Sequence, residues 1–397
     1  MKVLAVNAGS SSLKFQLYEM PEEKVLINGY IEKIGLPDSF WTIKINGEKI
    51  KSEKFIKDHT EAVKVLIDEL FKNNVIESLD EIKAVGHRVL HGGEKYSSSV
   101  IITDEVIQDI KDLTKLGPLH HPGNLAGIES MREALPNVPM VAVFDTAFHQ
   151  TMPKKNYMYP VPMEWYINYK VRKYGFHGTS HKYITETMQK KLNKKGVNLI
   201  ICHIGSGASI SCVKEGKCYD TTMGLTPLDG LMMGTRSGAI DPSILEYVCK
   251  ETGKSVSEVT NDLNKNSGLL GIAGFSDNRD VEKLYLEGDE RATLAFQMYC
   301  DRIAKYIAEY YLELGGVVDA IVFTAGVGEN GIIVRELVLD ELAPLGITLD
   351  KEFNNKVAGF KEFKEGKISD SNSKVNVYVV PTDEEVMIIR DTYNFVK

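Results

Sequence analysis

Two segments of the sequence, residues 3–19 and 199–215, have the residue types of a phosphate-binding hairpin. Each has a run of apolar residues, one polar residue (Asn7 or His203), a turn of glycine and serine, and a second strand-like run. Such a turn directs backbone N–H groups and hydroxyls at one point, which is how a chain can hold phosphate oxygens. Two copies would hold a polyphosphate between two domains, although two ordinary β-hairpins would show the same pattern.

Three charged residues stand where side chains can reach a ligand. Arg88 and Arg236 lie among small residues, in the segments GHRVLHGG and GTRSG, which allow the backbone to approach a ligand closely. A guanidinium can bind a carboxylate or a phosphate through two hydrogen bonds and keeps its charge, although an isolated arginine is more often in a surface salt bridge. Asp145 directly follows the apolar run 138–144, and functional side chains collect where the strands of an open α/β sheet end.

The composition predicts a globular protein of two domains. The chain has 397 residues, more than one hydrophobic core usually serves, and 43% of them are hydrophobic. Its formal net charge of −8 argues against nucleic acid or an anionic membrane as the main partner. The five cysteines have no CxxC spacing, which fits a reducing cytoplasm. No apolar run reaches the ~18 residues of a membrane span, and the N-terminal run is too short for an export signal.

Strand-like and helical patterns alternate along the chain, which favours an α/β fold. Residues 83–89 have the pattern of a strand. Residues 290–314 have that of a long amphipathic helix, with Leu294, Met298, Ile303, Ile307 and Leu314 expected to face a core. The segment AGVGEN, residues 325–330, predicts a glycine turn between a strand and a helix. In an earlier segment, Thr179 or Ser180 is expected to be the N-cap of a helix that runs to Leu192.

Seven segments, in order along nearly the whole chain, resemble those of the acetate kinase family within the acetate and sugar kinase, Hsp70 and actin superfamily. They are VNAGSSSLKF, GHRVLHGGEKY, FDTAFHQTMP, RKYGFHGTSHKY, MGTRSG, FTAGVGEN and PTDEE. The resemblance implies two ribonuclease H-like (actin-like ATPase) domains that arose by internal duplication. It also implies a Mg-ATP cleft between them and hinge closure on binding. The expected domains are residues 1–150 with 382–397, and residues 151–381.

The activity that the resemblance implies is reversible, Mg-dependent transfer of a phosphoryl group from ATP to acetate, which gives acetyl phosphate and ADP. Acetate and the γ-phosphate are both anions, so fixed positive charge is the first requirement, and such transfer is catalysed mainly by positioning and electrostatics. The resemblance puts Arg88 on the acetate carboxylate and Arg236 on the transferring phosphoryl group. It makes His177 the residue that donates to a phosphoryl oxygen in the transition state.

Asp145 resembles the residue that serves this family as a general base or as an organiser of the metal. Acetic acid has a pKa near ~4, so acetate has no proton to lose at neutral pH, and orientation of hydrated Mg²⁺ is the better role. The resemblance makes Asn7 and Glu384 direct or water-mediated ligands of Mg²⁺, with Mn²⁺ as an alternative ion. Glu385 stays an alternative to Glu384.

The resemblance also assigns residues to the two substrates. Those expected around the acetate methyl group are Leu90, Leu119, Phe176 and Pro227. Those expected at the nucleotide are Lys14, His203, Ile204, Gly205, Ser206, Gly207, Asp277, Asn278, Arg279, Gly326, Val327, Gly328, Glu329 and Asn330. The second hairpin reads HIGSG, with serine where the family usually has asparagine, so pyrophosphate is an alternative phosphoryl donor. The loop before Asp277 is one residue shorter than is common in the family, which leaves the register at 277–279 open.

Two other functions are alternatives. A propionate or butyrate kinase would use the same chemistry, because one methylene changes binding in an apolar pocket by only about 1–3 kcal/mol. An actin- or Hsp70-like ATPase switch would have no need of Arg88, Arg236 and His177, and a non-catalytic binding module would not need a complete phosphate and metal set.

The partners expected from the family are acetate, ATP or ADP, and a second copy of the chain in a cytoplasmic homodimer. The helix at 290–314 could serve the dimer or simply the core.

Overall fold

The two glycine and serine segments form β-hairpins, and each hairpin lies within its own sheet. The computed structural model describes residues 1–118 and 120–397. Unit 1 comprises Met1–Gln150 and Asp383–Lys397, and unit 2 comprises Thr151–Thr382.

Unit 1 contains an eight-stranded sheet with the strand order β5-β4-β3-β2-β1-β6-β8-β7, in which β1, β6 and β8 are parallel. Its strands are β1 Lys2–Ala8, β2 Ser12–Glu19, β3 Lys24–Glu32, β4 Phe40–Ile45, β5 Glu48–Glu53, β6 Ile82–Val89, β7 Val100–Ile101 and β8 Met140–Phe144. Helices α1 His59–Lys72, α2 Asp104–Asp112 and α3 His121–Ala134 follow the strands along the chain.

The core of unit 1 explains the residue patterns of its strands. On β1 and β2, Leu4, Val6, Leu13 and Leu17 are buried in one cluster, to which α1 and α3 contribute. Every residue of β8 is buried, as expected of a parallel strand that is covered on both faces.

Unit 2 contains a six-stranded sheet with the order β11-β10-β9-β12-β14-β13. Its strands are β9 Leu199–Ile204, β10 Ala208–Lys214, β11 Lys217–Thr221, β12 Ala320–Thr324, β13 Gly366–Lys367 and β14 Asn376–Val379. Its helices are α4 Lys154–Tyr157, α5 Met163–Tyr169, α6 Gly178–Lys191, α7 Ser243–Thr252, α8 Val256–Lys265, α9 Gly268–Ala273, α10 Asn278–Leu286, α11 Glu290–Glu313, α12 Ala325–Asn330, α13 Ile332–Leu342 and α14 Lys351–Asn354. The terminal helix α15, Glu384–Val396, returns to unit 1 and packs on β1, β6 and β8.

The two sheets repeat one arrangement of five strands. The order β3-β2-β1-β6-β8 in unit 1 corresponds to β11-β10-β9-β12-β14 in unit 2, with an antiparallel meander followed by two parallel strands in both. This repetition confirms the duplicated α/β fold that the two hairpins predicted.

Two local predictions in unit 2 were wrong, and both concern residues with positive φ. Residues 325–330 form the short helix α12 instead of a turn, and Ala325 has φ +66°. Helix α6 begins after His177, which has φ +56°, instead of at a Thr179 or Ser180 cap. The Ser180 hydroxyl is unavailable for capping because it bonds to Nδ1 of His203 at 2.7 Å.

Helix α11 confirms the predicted amphipathic helix almost to the residue. One of its faces, which includes Phe296, Ile303 and Ile307, is buried against the sheet and the neighbouring helices. The prediction that Leu294 faces the core was wrong, because it lies on the other face with Leu312, and the two are 52% and 79% exposed. Within residues 1–118 and 120–397, no helix combines the length and the apolar character that crossing a membrane requires.

Gly86 on β6 lies directly against α15, and a Cβ there would be 2.7 Å from Cγ2 of Ile388. We expect Gly86→Ala to lower the free energy of unfolding of unit 1 by about 1–3 kcal/mol, because overpacking pushes the helix off the sheet. Denaturant titration followed by circular dichroism measures the change. Gly196→Ala is the control, since its Cβ would meet nothing closer than 3.9 Å. Equal midpoints for the two variants would contradict this account of the packing.

Candidate active site

Helix α3 holds the turn of the first hairpin against the ends of β1 and β6. Nδ2 of Asn124 donates to the carbonyl of Ala8 at 2.7 Å, and its Oδ1 accepts from the N–H of Leu90 at 3.1 Å. Gly123 approaches the turn so closely that a Cβ there would be 2.5 Å from the carbonyl carbon of Gly9. The turn and the segment after β6 are therefore fixed by the same helix.

Arg88 and Asp145 form an ion pair at the carboxyl ends of β6 and β8. Nε of Arg88 donates to Oδ1 of Asp145 at 3.0 Å, and Nη2 donates to Oδ2 at 2.6 Å. Asp145 is 1% exposed, and Nη1 of Arg88 is 3.5 Å from Oδ1 of Asn7. The negative charge of Asp145 raises the pKa of Arg88. The pair fixes one side of the guanidinium, and donors on Nη1 and Nη2 remain for a ligand.

Glu384, the first residue of α15, interacts electrostatically with this ion pair. Burial raises the pKa of Glu384 to about 7; Arg88 opposes the shift, whereas Asp145 and Glu385 add to it. A buried carboxylate beside a second one is a position where a divalent cation relieves repulsion. In the described part of the chain, no group of three or more His, Cys, Asp or Glu side chains could hold a metal ion by itself. A magnesium ion usually takes one or two carboxylates and completes its ligands with phosphate and water, so the residues here fit Mg²⁺.

A cavity of about 310 Å³ in unit 1 brings several predicted residues together. It is lined by Asn7, Ala8, Gly9, Ser10, Ser12, Lys14, Arg88, Leu90, His120 and Asn124. The first hairpin, Arg88 and Leu90 therefore share one cavity. His120 and Asn124 were not predicted, and Leu119 lies outside the described residues.

In unit 2, His177 and Arg236 approach the turn of the second hairpin at Gly207. A Cβ on Gly207 would be 3.4 Å from Nη1 of Arg236 and 3.6 Å from Nε2 of His177. The turn is closed by the N–H of Gly205, which donates to the carbonyl of Gly207 at 3.1 Å. Glycine at 207 therefore leaves room beside two side-chain nitrogens, and an oxyanion fits such a position.

Arg236 is half-buried, and no carboxylate offsets its charge within the part of the chain that the structure describes. Its Nη1 donates to the carbonyl of Pro227 at 3.2 Å and lies 3.7 Å from Sδ of Met233. Burial lowers the pKa of Arg236. A guanidinium in this state has donors to offer an anion, and a bound anion would balance its charge.

Two serine hydroxyls form hydrogen bonds to the three histidines near this turn. Oγ of Ser209 is 2.9 Å from Nδ1 of His177 and 2.8 Å from Nε2 of His181. Oγ of Ser180 bonds to Nδ1 of His203, and the rings of His177 and His203 stack with their centroids 4.1 Å apart. The orientation of the His177 ring is therefore fixed from two sides.

A cavity of about 750 Å³ in unit 2 adjoins the second hairpin, and its volume is in the usual range of small-molecule sites. The predicted nucleotide residues that line it are Gly205, Ser206, Asp277, Asn278, Arg279, Gly326, Val327 and Asn330. The lining residues that were not predicted include Gly234, Thr235, Ser276, Glu282, Tyr299, Gly359 and Phe360. Three segments that are distant in the sequence thus surround one cavity.

Other predicted residues lie elsewhere. Oε1 of Glu329 accepts from the N–H groups of Ala325 and Thr382 at 2.8 and 3.1 Å, so this carboxylate stabilises the backbone. His203 and Ile204 are buried in β9, and Gly328 is buried in α12. Of the residues predicted around the acetate methyl group, Phe176 and Pro227 belong to unit 2, where Phe176 is buried.

Arg335 on α13 is a residue that the sequence reading missed. It is fully buried, and burial lowers its pKa to about 10. Nη1 donates to the carbonyls of Gly328 and Glu329 at 2.9 and 2.8 Å, Nη2 to that of Val357 at 2.7 Å, and Nε to Oδ1 of Asn354 at 2.8 Å. The guanidinium thereby joins α12 to the segment that leads to the opposite wall of the cavity.

Comparison with known proteins identifies close relatives. The sequence profile of the acetokinase family matches residues 2–390. An acetate kinase from Bacillus cytotoxicus is 54% identical over 393 residues, which cover 98% of each chain. The solved structure of an acetate kinase from Porphyromonas gingivalis is similar with a TM-score of 0.94 at 46% identity, over 100% of both chains. That of a propionate kinase from Francisella tularensis gives 0.93 at 43% identity, over 99% of both chains.

The contacts of Arg335 predict a large effect on stability. We expect Arg335→Lys to lower the free energy of unfolding by about 2–4 kcal/mol. One ammonium group cannot replace the several N–H donors of the planar guanidinium, so buried carbonyls lose their hydrogen-bond partners. Arg291→Lys is the matched control, because Arg291 is exposed and bonds to one carbonyl, that of Ile272, at 2.8 Å. Denaturant titration of both variants measures the difference, and similar midpoints would refute the role given to Arg335.

Proposed function

The chain belongs to the acetokinase family, and we propose that it uses the two groups of side chains described above to transfer a phosphoryl group between ATP and acetate. It is a kinase that phosphorylates acetate, with ATP as the donor. The reverse reaction gives ATP and acetate from ADP and acetyl phosphate.

The position of Arg236 is the observation that carries the proposal. Its half-buried guanidinium has no carboxylate to offset it in the described chain, and its Nη1 lies beside Gly207 together with Nε2 of His177. A transferring phosphoryl group spreads negative charge over its equatorial oxygens, and donors placed there stabilise the transition state more than the ground state. We assign Arg236 and His177 to those oxygens.

Arg88 is assigned to the acetate carboxylate. Asp145 occupies Nε and one side of Nη2, and the remaining N–H groups can bind a carboxylate in bidentate fashion. Leu90 lines the same cavity and offers an apolar contact to the methyl group. Asp145 thus orients Arg88, and no general base is needed because acetate is ionised at neutral pH.

Mg²⁺ is proposed as the cofactor, held by Asn7 and Glu384 with Asp145 near them. When bound, the ion would neutralise charge on the phosphate oxygens. The raised pKa of Glu384 supports this assignment. It shows that the protein alone stabilises the ionised carboxylate poorly, so a bound cation would stabilise that form strongly. Mn²⁺ has similar ligand preferences and is an alternative.

The nucleotide is assigned to the cavity of unit 2. The backbone of the Gly205-Ser206-Gly207 turn and the cavity next to it would take the phosphates and the nucleoside. We retain Ser206 as a residue that donates one hydroxyl hydrogen bond to the phosphate chain.

A homodimer in the cytoplasm completes the proposal. Leu294 and Leu312 on α11 expose apolar side chains that a second copy of the chain could cover. All five cysteines are thiols, and four of them are buried, which suits a reducing compartment.

Acetyl phosphate formation tests the function directly. With ATP, Mg²⁺, acetate and hydroxylamine together, we expect acetyl hydroxamate, and none when any one of the first three is omitted. Release of ADP that ignores acetate and yields no hydroxamate would identify an ATPase instead. Parallel reactions with propionate and butyrate measure selectivity, and we expect propionate to react, since one methylene is worth only about 1–3 kcal/mol.

The role of Arg236 predicts a large kinetic effect. We expect Arg236→Lys to lower kcat by at least about 10²-fold, because a lysine keeps the charge but loses the fork that spans two oxygens. Arg302→Lys is the matched control, since Arg302 is also half-buried in unit 2 and donates Nη1 to one carbonyl, that of Ala239, at 2.7 Å. Its kcat should stay close to that of the unsubstituted enzyme. Similar kcat values for the two variants would remove Arg236 from the mechanism.

A further inference from the structure

We propose that Ser209 and His181 are positioning residues that hold His177 as the neutral tautomer with its proton on Nε2. The proposal rests on the proposed function, because the transferring phosphoryl group is the acceptor of that proton's hydrogen bond. Neither residue was singled out for this role by the sequence, in which His181 has the features of a structural histidine.

The geometry places one hydroxyl between two imidazoles. Oγ of Ser209 is 2.9 Å from Nδ1 of His177 and 2.8 Å from Nε2 of His181, and Ser209 and His181 are both fully buried. A serine hydroxyl has one proton and two lone pairs, so it can donate to only one of these nitrogens; it then accepts from the other, or else it accepts from both. The protonation of the two imidazoles is therefore linked.

Two neutral arrangements have the hydroxyl donate to one of the rings. A third, in which it accepts from both rings, leaves Nε2 of His177 without a proton, as the second does. In the first, Nε2–H of His181 donates to Ser209, and Ser209 donates to Nδ1 of His177, whose proton is then on Nε2. In the second, both hydrogen bonds run the other way, and Nε2 of His177 has only a lone pair. Nε2 is the nitrogen that lies 3.6 Å from the position of a Cβ on Gly207, beside Nη1 of Arg236. Only the first arrangement provides a donor to an anion at that place.

The charges around His177 oppose its third state, the imidazolium. The guanidinium of Arg236 lies on the side of Nε2, and the ring of His203 stacks on His177 at 4.1 Å. His181 and Ser209 occupy the side of Nδ1. A second cation next to Arg236 would be repelled, and protonation of Nδ1 would remove the hydrogen bond that Ser209 donates to it in the first arrangement. The positive charge of Arg236 thus acts against an imidazolium at His177.

The backbone of His177 is consistent with an imposed ring orientation. It has φ +56°, in the left-handed region that a residue with a Cβ adopts at some cost. Such strain persists where surrounding contacts determine the geometry, and the Ser209 hydrogen bond and the His203 stack are contacts of that kind.

The first test reads the tautomer in the unsubstituted protein. Two-bond ¹H–¹⁵N correlation spectra of the ring nitrogens are recorded at neutral pH, and the signals of His177 are assigned by their absence from His177→Ala. We expect a protonated Nε2 and an unprotonated Nδ1. A proton on Nδ1, alone or together with Nε2, would overturn the proposal. This measurement does not depend on catalysis, so its outcome is separate from that of the hydroxamate assay.

The second test compares two serines of one strand. Ser209→Ala removes the hydroxyl that bonds to His177, whereas Ser211→Ala removes an equally buried hydroxyl on β10 that donates to Oγ1 of Thr221 at 3.2 Å. We expect Ser209→Ala to lower kcat by about tenfold or more, with KM for ATP and acetate within about threefold, since a transition-state contact is weakened. Equal kcat values for the two variants, or a change in KM alone, would refute the positioning role.

A conservative pair tests His181. The side-chain amide of glutamine can donate from nearly the position of Nε2, whereas leucine has no donor. We expect His181→Gln to exceed His181→Leu in kcat by about tenfold. If the two variants have equal kcat while the folded protein still binds ADP, His181 does not act through Ser209.

Discussion

Burying a guanidinium costs free energy unless other groups match its charge and its donors, and this constraint shapes both candidate sites. The chain meets it in three ways. Arg88 is paired with the Asp145 carboxylate, and Arg335 is surrounded by backbone carbonyls and one amide. Arg236 donates to one carbonyl and has no carboxylate partner among the described residues. Arg236, whose charge is the least compensated of the three, lies next to the Gly-Ser-Gly turn. The folded protein therefore holds a positive charge at a position where a bound phosphoryl group would compensate it.

The two units differ in their local charge in a way that suits two different ligands. In unit 1, Arg88 and Lys14 are accompanied by the carboxylates of Asp145, Glu384 and Glu385, so carboxylates outnumber the cations there, and burial raises the pKa of Glu384 to about 7. An anionic substrate would bind poorly at such a place without a metal ion. In unit 2, no carboxylate in the described chain offsets the charge of Arg236, and polyphosphate could bind there directly. A divalent cation is therefore needed most in the unit to which we assign acetate.

Local patterns were enough to predict the elements but not the contacts between distant ones. The hairpins, β8 and α11 followed from apolar periodicity, and glycine neighbours singled out Arg88 and Arg236. Asn124 and Arg335 were missed because a polar residue in an amphipathic helix has the same local pattern whether it faces water or a buried carbonyl. The cap of α6 was wrong because Ser180 satisfies the local rule, yet its hydroxyl bonds to His203, which is distant in the sequence. Ala325 has a positive φ, and its N–H donates to Glu329; neither feature follows from the local pattern of residue types.

The duplicated hairpin shows how one backbone position acquires two functions. In the first hairpin Asn7 is opposite Lys14, and in the second His203 is opposite Ser209, each pair one step before the turn. Lys14 is exposed and lines the cavity of unit 1, where its charge can reach a ligand directly. Ser209 is fully buried and reaches a ligand only through His177. The fold determines where a side chain stands in both copies, but α6 covers this position in unit 2 and brings His177 and His181 to it. The second copy can therefore use a hydroxyl to orient an imidazole where the first copy uses an ammonium.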